Sequence, residues 1–220
     1  MAAVIFDMDG VLVNSEPLHE KAQDIVCRRF GLDVPKSISP IFKGWTEDRV
    51  YEYIAEHFGT GSTNVETLIQ AKHAAFASLV DELELIPGAA KLVKELYNLD
   101  IPLGLVTSAT RADQERAFTK FGLFPYFSSV TTVEDVTEAK PHPQPFLTGA
   151  ERLGVKPEEC IVVEDSKYGV VSALRAGCYV LGLATTFSCD ALDDAGAHAV
   201  FDSIEKVEPH IKELLSLAVS

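Results

Sequence analysis

Residues 4–10 read Val-Ile-Phe-Asp-Met-Asp-Gly: three apolar residues without polar alternation run straight into two carboxylates spaced by one residue. An unbroken run rich in β-branched and aromatic side chains marks a strand covered on both faces, hence a parallel sheet flanked by helices. Similar runs recur at 101–106, 161–163 and 179–183. Helical patterns lie between them at 88–98, 111–121, 143–153 and 169–176, and the last three stop at Gly122, Gly154 and Gly177, a common way for a helix to end. From about residue 85 onward helix and strand alternate, which predicts an α/β fold with a doubly wound (Rossmann-like) parallel sheet. Residues 16–30, 47–58 and 65–83 break that alternation, each amphipathic with no strand run between, and 59–64 (GTGSTN) reads as a loop between helices. The expected organisation is an α/β core of residues 1–13 and 84–220 carrying an inserted all-α cap of residues 14–83.

Composition narrows the function. The 220 residues hold 19 Lys and Arg against 33 Asp and Glu, a net charge of −14, and 47% are hydrophobic. So large an excess of acid argues against nucleic acid, whose affinity comes from cationic side chains, and against an anionic membrane surface. It does not exclude a small anionic substrate, because one local cation reverses the field in a pocket. No stretch approaches the ~20 apolar residues that span a bilayer. The apolar start is broken by Asp7 and Asp9 with no basic segment ahead of it, so no signal peptide is expected. Cys27, Cys160, Cys178 and Cys189 show no CxxC pairing, and Cys160 and Cys178 begin apolar runs as buried thiols. A cytoplasmic protein is expected, monomeric or with a dimer as the alternative.

Ligands of an open parallel sheet bind beyond the carboxyl ends of its strands. Asp7 and Asp9 follow the first run, Thr107 and Ser108 the second, Glu164 and Asp165 the third, and Lys140 lies ahead of Pro141. Singly, each has a bland reading as a turn, a cap or a solvated charge. Together they gather four negative charges at one rim, where repulsion is costly without a counter-ion. A hard cation with oxygen ligands resolves that, and Mg²⁺ fits because it needs few carboxylates and keeps waters or phosphate oxygens.

Asp7-Met8-Asp9-Gly10-Val11-Leu12, Thr107 after an apolar strand, Lys140-Pro141 and Val163-Glu164-Asp165-Ser166 resemble, in order and spacing, the four motifs of the haloacid dehalogenase-like superfamily. The helical insert, together with Asn14-Ser15-Glu16-Pro17-Leu18-His19, resembles the β-phosphoglucomutase-like branch with its C1 cap. That resemblance implies an aspartyl-phosphate mechanism. Asp7 would be nucleophile and metal ligand. Asp9 would be general acid and base, its backbone carbonyl also touching the metal. Thr107, with backbone N–H groups near Ser108 and Ala109, would hold phosphoryl oxygens. Lys140 would bridge Asp7 and the phosphate, Asp165 would ligate Mg²⁺, and Glu164 would ligate it directly or through water.

His19, Gly44-Trp45 and Lys72 are the candidates in the cap for reading the leaving group; exposed, packing and solvated roles are their respective alternatives. Three functions stay open. The first is a Mg²⁺-dependent phosphatase of a small phosphorylated metabolite, a sugar or polyol phosphate. The second is a β-phosphoglucomutase-like phosphotransferase. The mutase pattern, however, carries an Arg after the Lys43-Gly44 position to grip a distal phosphate, where this chain has Glu47, with Arg49 two residues on. The third is an inactive binding protein that keeps the fold. Dehalogenation is disfavoured, since it needs neither Mg²⁺ nor Asp9.

Overall fold

The computed structural model describes residues 2–42, 45–60 and 63–216; Gly44 and the middle of the 59–64 loop lie outside the described residues. The chain divides into two compact units, Met1–Asn14 with Glu84–Ser220, and Ser15–Leu83. In chain order the elements are β1 (Ala3–Phe6), β2 (Val13–Asn14), α1 (Glu16–Arg29), α2 (Ser39–Phe42), α3 (Glu47–Phe58), α4 (Val65–Ser78), β3 (Glu84–Leu85), α5 (Ala89–Asn98), β4 (Leu103–Val106), α6 (Arg111–Phe121), β5 (Ser129–Thr131), α7 (Gln144–Leu153), β6 (Cys160–Glu164), α8 (Lys167–Ala176), β7 (Tyr179–Leu183), α9 (Cys189–Asp194), β8 (Ala199–Phe201) and α10 (Ile204–Ser216).

The first unit is the expected doubly wound α/β fold. Its six strands run parallel in the order β5-β4-β1-β6-β7-β8. The run read first is the centre of this sheet: Val4 pairs with Leu103 on one side and Ile161 on the other, and all of β1 is buried. Ile5, Val106, Val162 and Val180 pack with Phe146 and Ala150 of α7 and Val170 and Ala173 of α8 in one apolar layer. Each large side chain so buried contributes roughly 1.5–3 kcal/mol. Two edge strands escape the sequence pattern. β5 and β8 are three residues each and mostly half-buried, so they lack the long apolar run that marks the interior strands. A separate two-stranded ladder, Val13 opposite Leu85 and Asn14 opposite Glu84, joins the points where the chain leaves and re-enters this unit.

The second unit is all helix. α4 packs against both α1 and α3. Thr46 and Asn64 cap α3 and α4 by accepting from the N–H groups of Arg49 and Thr67. The single helix expected over 65–83 ends at Ser78 instead, and a 3₁₀ turn follows at Val80–Glu82. The Ser78 hydroxyl donates to the Ala75 carbonyl at 2.7 Å, a local bond that competes with the helical ladder. Among the described residues no helix is long and apolar enough to cross a membrane.

Candidate active site

β1 lies at the sheet's switch point, with the chain crossing to β4 on one side and reaching β6 on the other. Ligand sites of open sheets form in the crevice at that point. The ladder extends one residue beyond the strands: the Asp7 N–H donates to the Val163 carbonyl at 3.0 Å and the Thr107 N–H to the Thr131 carbonyl at 2.9 Å. Sheet pairing itself therefore fixes the backbones of both residues. Both are buried, as are Glu164 and Asp165.

Lys140 reaches into this crevice. Its Nζ donates to Asp7 Oδ1 at 2.6 Å, to Glu164 Oε1 at 2.8 Å and to the Val106 carbonyl at 3.1 Å. An ammonium has three donors, and all three are spent. The Lys140 side chain is 6% exposed, and the Phe146 ring lies 4.9 Å from Nζ. The loop that carries Lys140 is tied to α8: Ser172 donates to the His142 carbonyl and Arg175 to that of Pro141.

Glu164, expected to ligate the metal directly or through water, has protein partners on both oxygens. Oε1 accepts from Lys140, and Oε2 accepts from the N–H and hydroxyl of Ser166, the residue that caps α8. The carboxylate lies over the first turn of α8 against Gly169, where a Cβ would collide with it. Its oxygens are thus occupied in anchoring Lys140 and closing a helix end, where negative charge is favoured. Asp165 takes the opposite direction. Its Oδ2 lies against Gly10, which has φ +74° and whose own Cβ would occupy the space the carboxylate fills. Gly10 therefore supplies both a left-handed turn and room for an acid from another strand.

Burial pushes the Asp7 carboxyl up to about 8; Lys140 opposes the rise, while Glu164 and Asp9 add to it. Burial, then Glu164 and Asp7, raise Asp165 well above the carboxylate range. Burial alone would lower Lys140, yet Asp7 and Glu164 hold it above its ordinary value. Among the described residues Asp7 and Glu164 share the Lys140 ammonium while Asp9 and Asp165 add to the negative field, and the excess is met by protons or by a cation. Among the described residues no three acidic, His or Cys side chains close into a ready cage. An all-oxygen set with two buried carboxylates still fits Mg²⁺, which takes one or two carboxylates and completes its shell with water and substrate oxygens.

Thr107 directly follows β4, and the helix after it spans Arg111–Phe121, the range that the sequence pattern gives. Thr110 caps α6, two residues beyond Ser108, and the Ala109 N–H donates back to Thr107 Oγ1 at 3.0 Å. Ser108 is exposed. The loop is braced by Glu134, whose two oxygens accept from the Arg111 N–H at 3.0 Å each.

In the helical unit the candidates sit in two clusters. The His19 ring stacks on Phe76, centroids 4.4 Å apart, with Nδ1 buried and unpartnered. Burial, with Lys72 and His73 nearby, lowers His19 to about 3. Lys72 is not solvated: its Nζ lies 2.6 Å from Glu47 Oε1, and His73 Nε2 meets the other oxygen. Trp45 packs instead with Phe42 and Tyr53, and the Arg49 guanidinium lies 4.0 Å from its ring centroid.

The haloacid dehalogenase-like hydrolase profile matches residues 4–183. This chain belongs to that family. It is 33% identical, over 94% of its length and 96% of the relative's, to a validoxylamine A 7'-phosphate phosphatase of Streptomyces hygroscopicus subsp. limoneus. It is 31% identical to hexitol phosphatase A of Escherichia coli, over 92% and 91% of the two chains. A beta-phosphoglucomutase candidate from Thermotoga maritima superposes with a TM-score of 0.83 at 30% identity, covering 97% of this chain and 99% of that one. The family's fold and the phosphatase character of these curated relatives agree with the sequence reading. The rim reading stopped at three strand ends and so missed Thr185 and Thr186, which follow β7 in the same pattern of apolar run and then hydroxyls.

Proposed function

We propose that this chain is a Mg²⁺-dependent phosphatase of a small sugar or polyol phosphate, working through a phosphoryl group carried on Asp7. The observation that carries the reading is the buried Asp7–Lys140–Glu164 bridge at the sheet's switch point. An ammonium so fully engaged keeps the Asp7 carboxylate aimed and, with its charge, favours the ionised form that attacks phosphorus. Asp9 then protonates the leaving oxygen, and later takes a proton from the water that cleaves the acyl phosphate. Thr107 and the N–H groups of Ser108 and Ala109 hold the phosphoryl oxygens; for this Ala109 must release Thr107 Oγ1. Asp7, Asp165 and the Asp9 carbonyl would hold Mg²⁺, which when bound draws off charge from the transferring oxygens. The four cysteines are free, as suits a cytoplasmic enzyme.

His19, Trp45 and Lys72 are our proposed selectors of the leaving group. Glu47 and Lys72 cancel each other's charge, so among the described residues Lys72 is not left free for a second phosphate. The similarity to a mutase candidate supports the phosphotransferase as the second reading, and the acid at position 47 counts against it. The experiment is a screen of phosphorylated sugars and polyols for phosphate release. Phosphate should appear from at least one of them. Interconversion of glucose 1- and 6-phosphates on priming with a bisphosphate, without free phosphate, would replace the first reading by the second. Inertness in both assays would leave a binding protein.

A further inference from the structure

The segment after β7 makes contacts that no role above uses. The Ala184 N–H donates to the Phe201 carbonyl at 2.7 Å, and the Thr185 N–H turns back to the Leu183 carbonyl at 2.8 Å. That tight turn directs two successive hydroxyls at the site. Thr185 Oγ1 donates to the Gly10 carbonyl at 2.5 Å, 175 residues away in sequence. Thr186 Oγ1 stands with the Asp165 carboxylate at the open face of Gly10. Gly10 has no Cβ because Asp165 Oδ2 and Thr186 Oγ1 already stand there, the hydroxyl 2.8 Å from where that Cβ would be.

We propose that Thr185 and Thr186 form a positioning strap: Thr186 fixes the Asp165 carboxylate in its cation-ligating orientation while Thr185 pins the turn that carries Asp9. The inference rests on the reading of Asp165 as a metal ligand. A carboxylate accepts and cannot donate when ionised, so a hydroxyl donor selects both its orientation and its charged form. A ligating carboxylate gains affinity from such support, and losing an outer partner typically weakens metal binding about 10–100-fold. Neither hydroxyl needs to touch the substrate.

The test measures Mg²⁺ binding by calorimetry on the substrate-free protein, beside the melting temperature without cation. Thr186→Val, which keeps the shape and removes the donor, should weaken Mg²⁺ binding about 10-fold or more. Thr186→Ser should bind within about 2-fold of the parent, and both variants should melt near the parent without cation. If Thr186→Val binds Mg²⁺ as tightly as the parent, or if the serine variant is weakened as much as the valine one, the strap is overturned. Should the valine variant fail to fold, Thr186→Ala against Thr186→Ser gives the same decision. Asp165→Asn separates the two levels of inference: it must abolish the calorimetric signal. If it does not, the metal-site reading fails; if it does while Thr186→Val is unaffected, only the strap fails.

Discussion

One charge cluster in each unit of the chain invites comparison, buried in the α/β unit and half-buried in the helical one. In the α/β unit one ammonium, Lys140, faces Asp7 and Glu164 directly, with Asp9 and Asp165 adding to the negative field. In the helical unit one carboxylate, Glu47, faces Lys72 and His73. The second cluster pairs off, while the first holds more carboxyls than Lys140 alone can balance. Folding alone gives no reason to bury uncompensated carboxylates, because charge taken out of water is costly unless paired. The imbalance is what the proposed cation would relieve.

The sharpest break of that comparison removes the nucleophile. Asp7→Asn should cut p-nitrophenyl phosphate turnover by about 10⁴-fold or more, since groups that act as a unit lose nearly everything together. Retention of even a tenth of the activity would remove Asp7 from the chemistry. Lys140→Met comes next. It leaves Asp7 and Glu164 buried without their counter-ion, so urea unfolding should show a loss of about 3 kcal/mol, with turnover down about 10²–10³-fold. Unchanged stability would mean that Lys140 does not hold the cluster together.

Chelation acts on the same imbalance without a mutation. EDTA should silence phosphatase activity and Mg²⁺ restore it, because in the proposed site two buried carboxylates and a backbone carbonyl would supply hard oxygen ligands. The folded protein should also melt at a higher temperature with Mg²⁺ than with EDTA, as any ligand of the native state stabilises by mass action. Activity indifferent to EDTA would sink the reading of the strand-end carboxylates as a cation site.

Interior strands were legible because burial on both faces writes itself as an unbroken apolar run; residues 4–6 and 161–163 are such runs. Edge strands β5 and β8 are covered less, so the same physics leaves no such mark on them. That Asp7, Thr107 and Asp165 lie just beyond strands of one sheet could be read because each follows an apolar run in the sequence. The engagement of Glu164 with Lys140 and Ser166 could not, because two neighbouring acids carry no sign of which way each side chain turns. The pairing of Glu47 with Lys72 and His73 joins α3 to α4 and depends on how those helices pack. Periodicity alone does not fix that register.

The helical unit offers the smallest and most selective test, through His19. Burial holds its folded pKa near 3, against an ordinary value of 6.5, with Lys72 and His73 adding to the depression. Above pH 6.5 the imidazole is neutral whether the chain is folded or unfolded, and it contributes no pH dependence. Between 6.5 and 3 the unfolded chain takes up a proton that the folded one refuses, so acid favours unfolding. The slope is about 1.4 kcal/mol per pH unit, or about 2 kcal/mol between pH 6.5 and 5. His19→Phe keeps a ring to stack on Phe76 and removes the titration. Urea unfolding at pH 7 and pH 5 should therefore show the parent losing about 2 kcal/mol more than the variant, the other titrating groups being common to both. Equal losses would mean that His19 takes up its proton in the folded state, and that the helical cluster accommodates a further positive charge beside Lys72 after all.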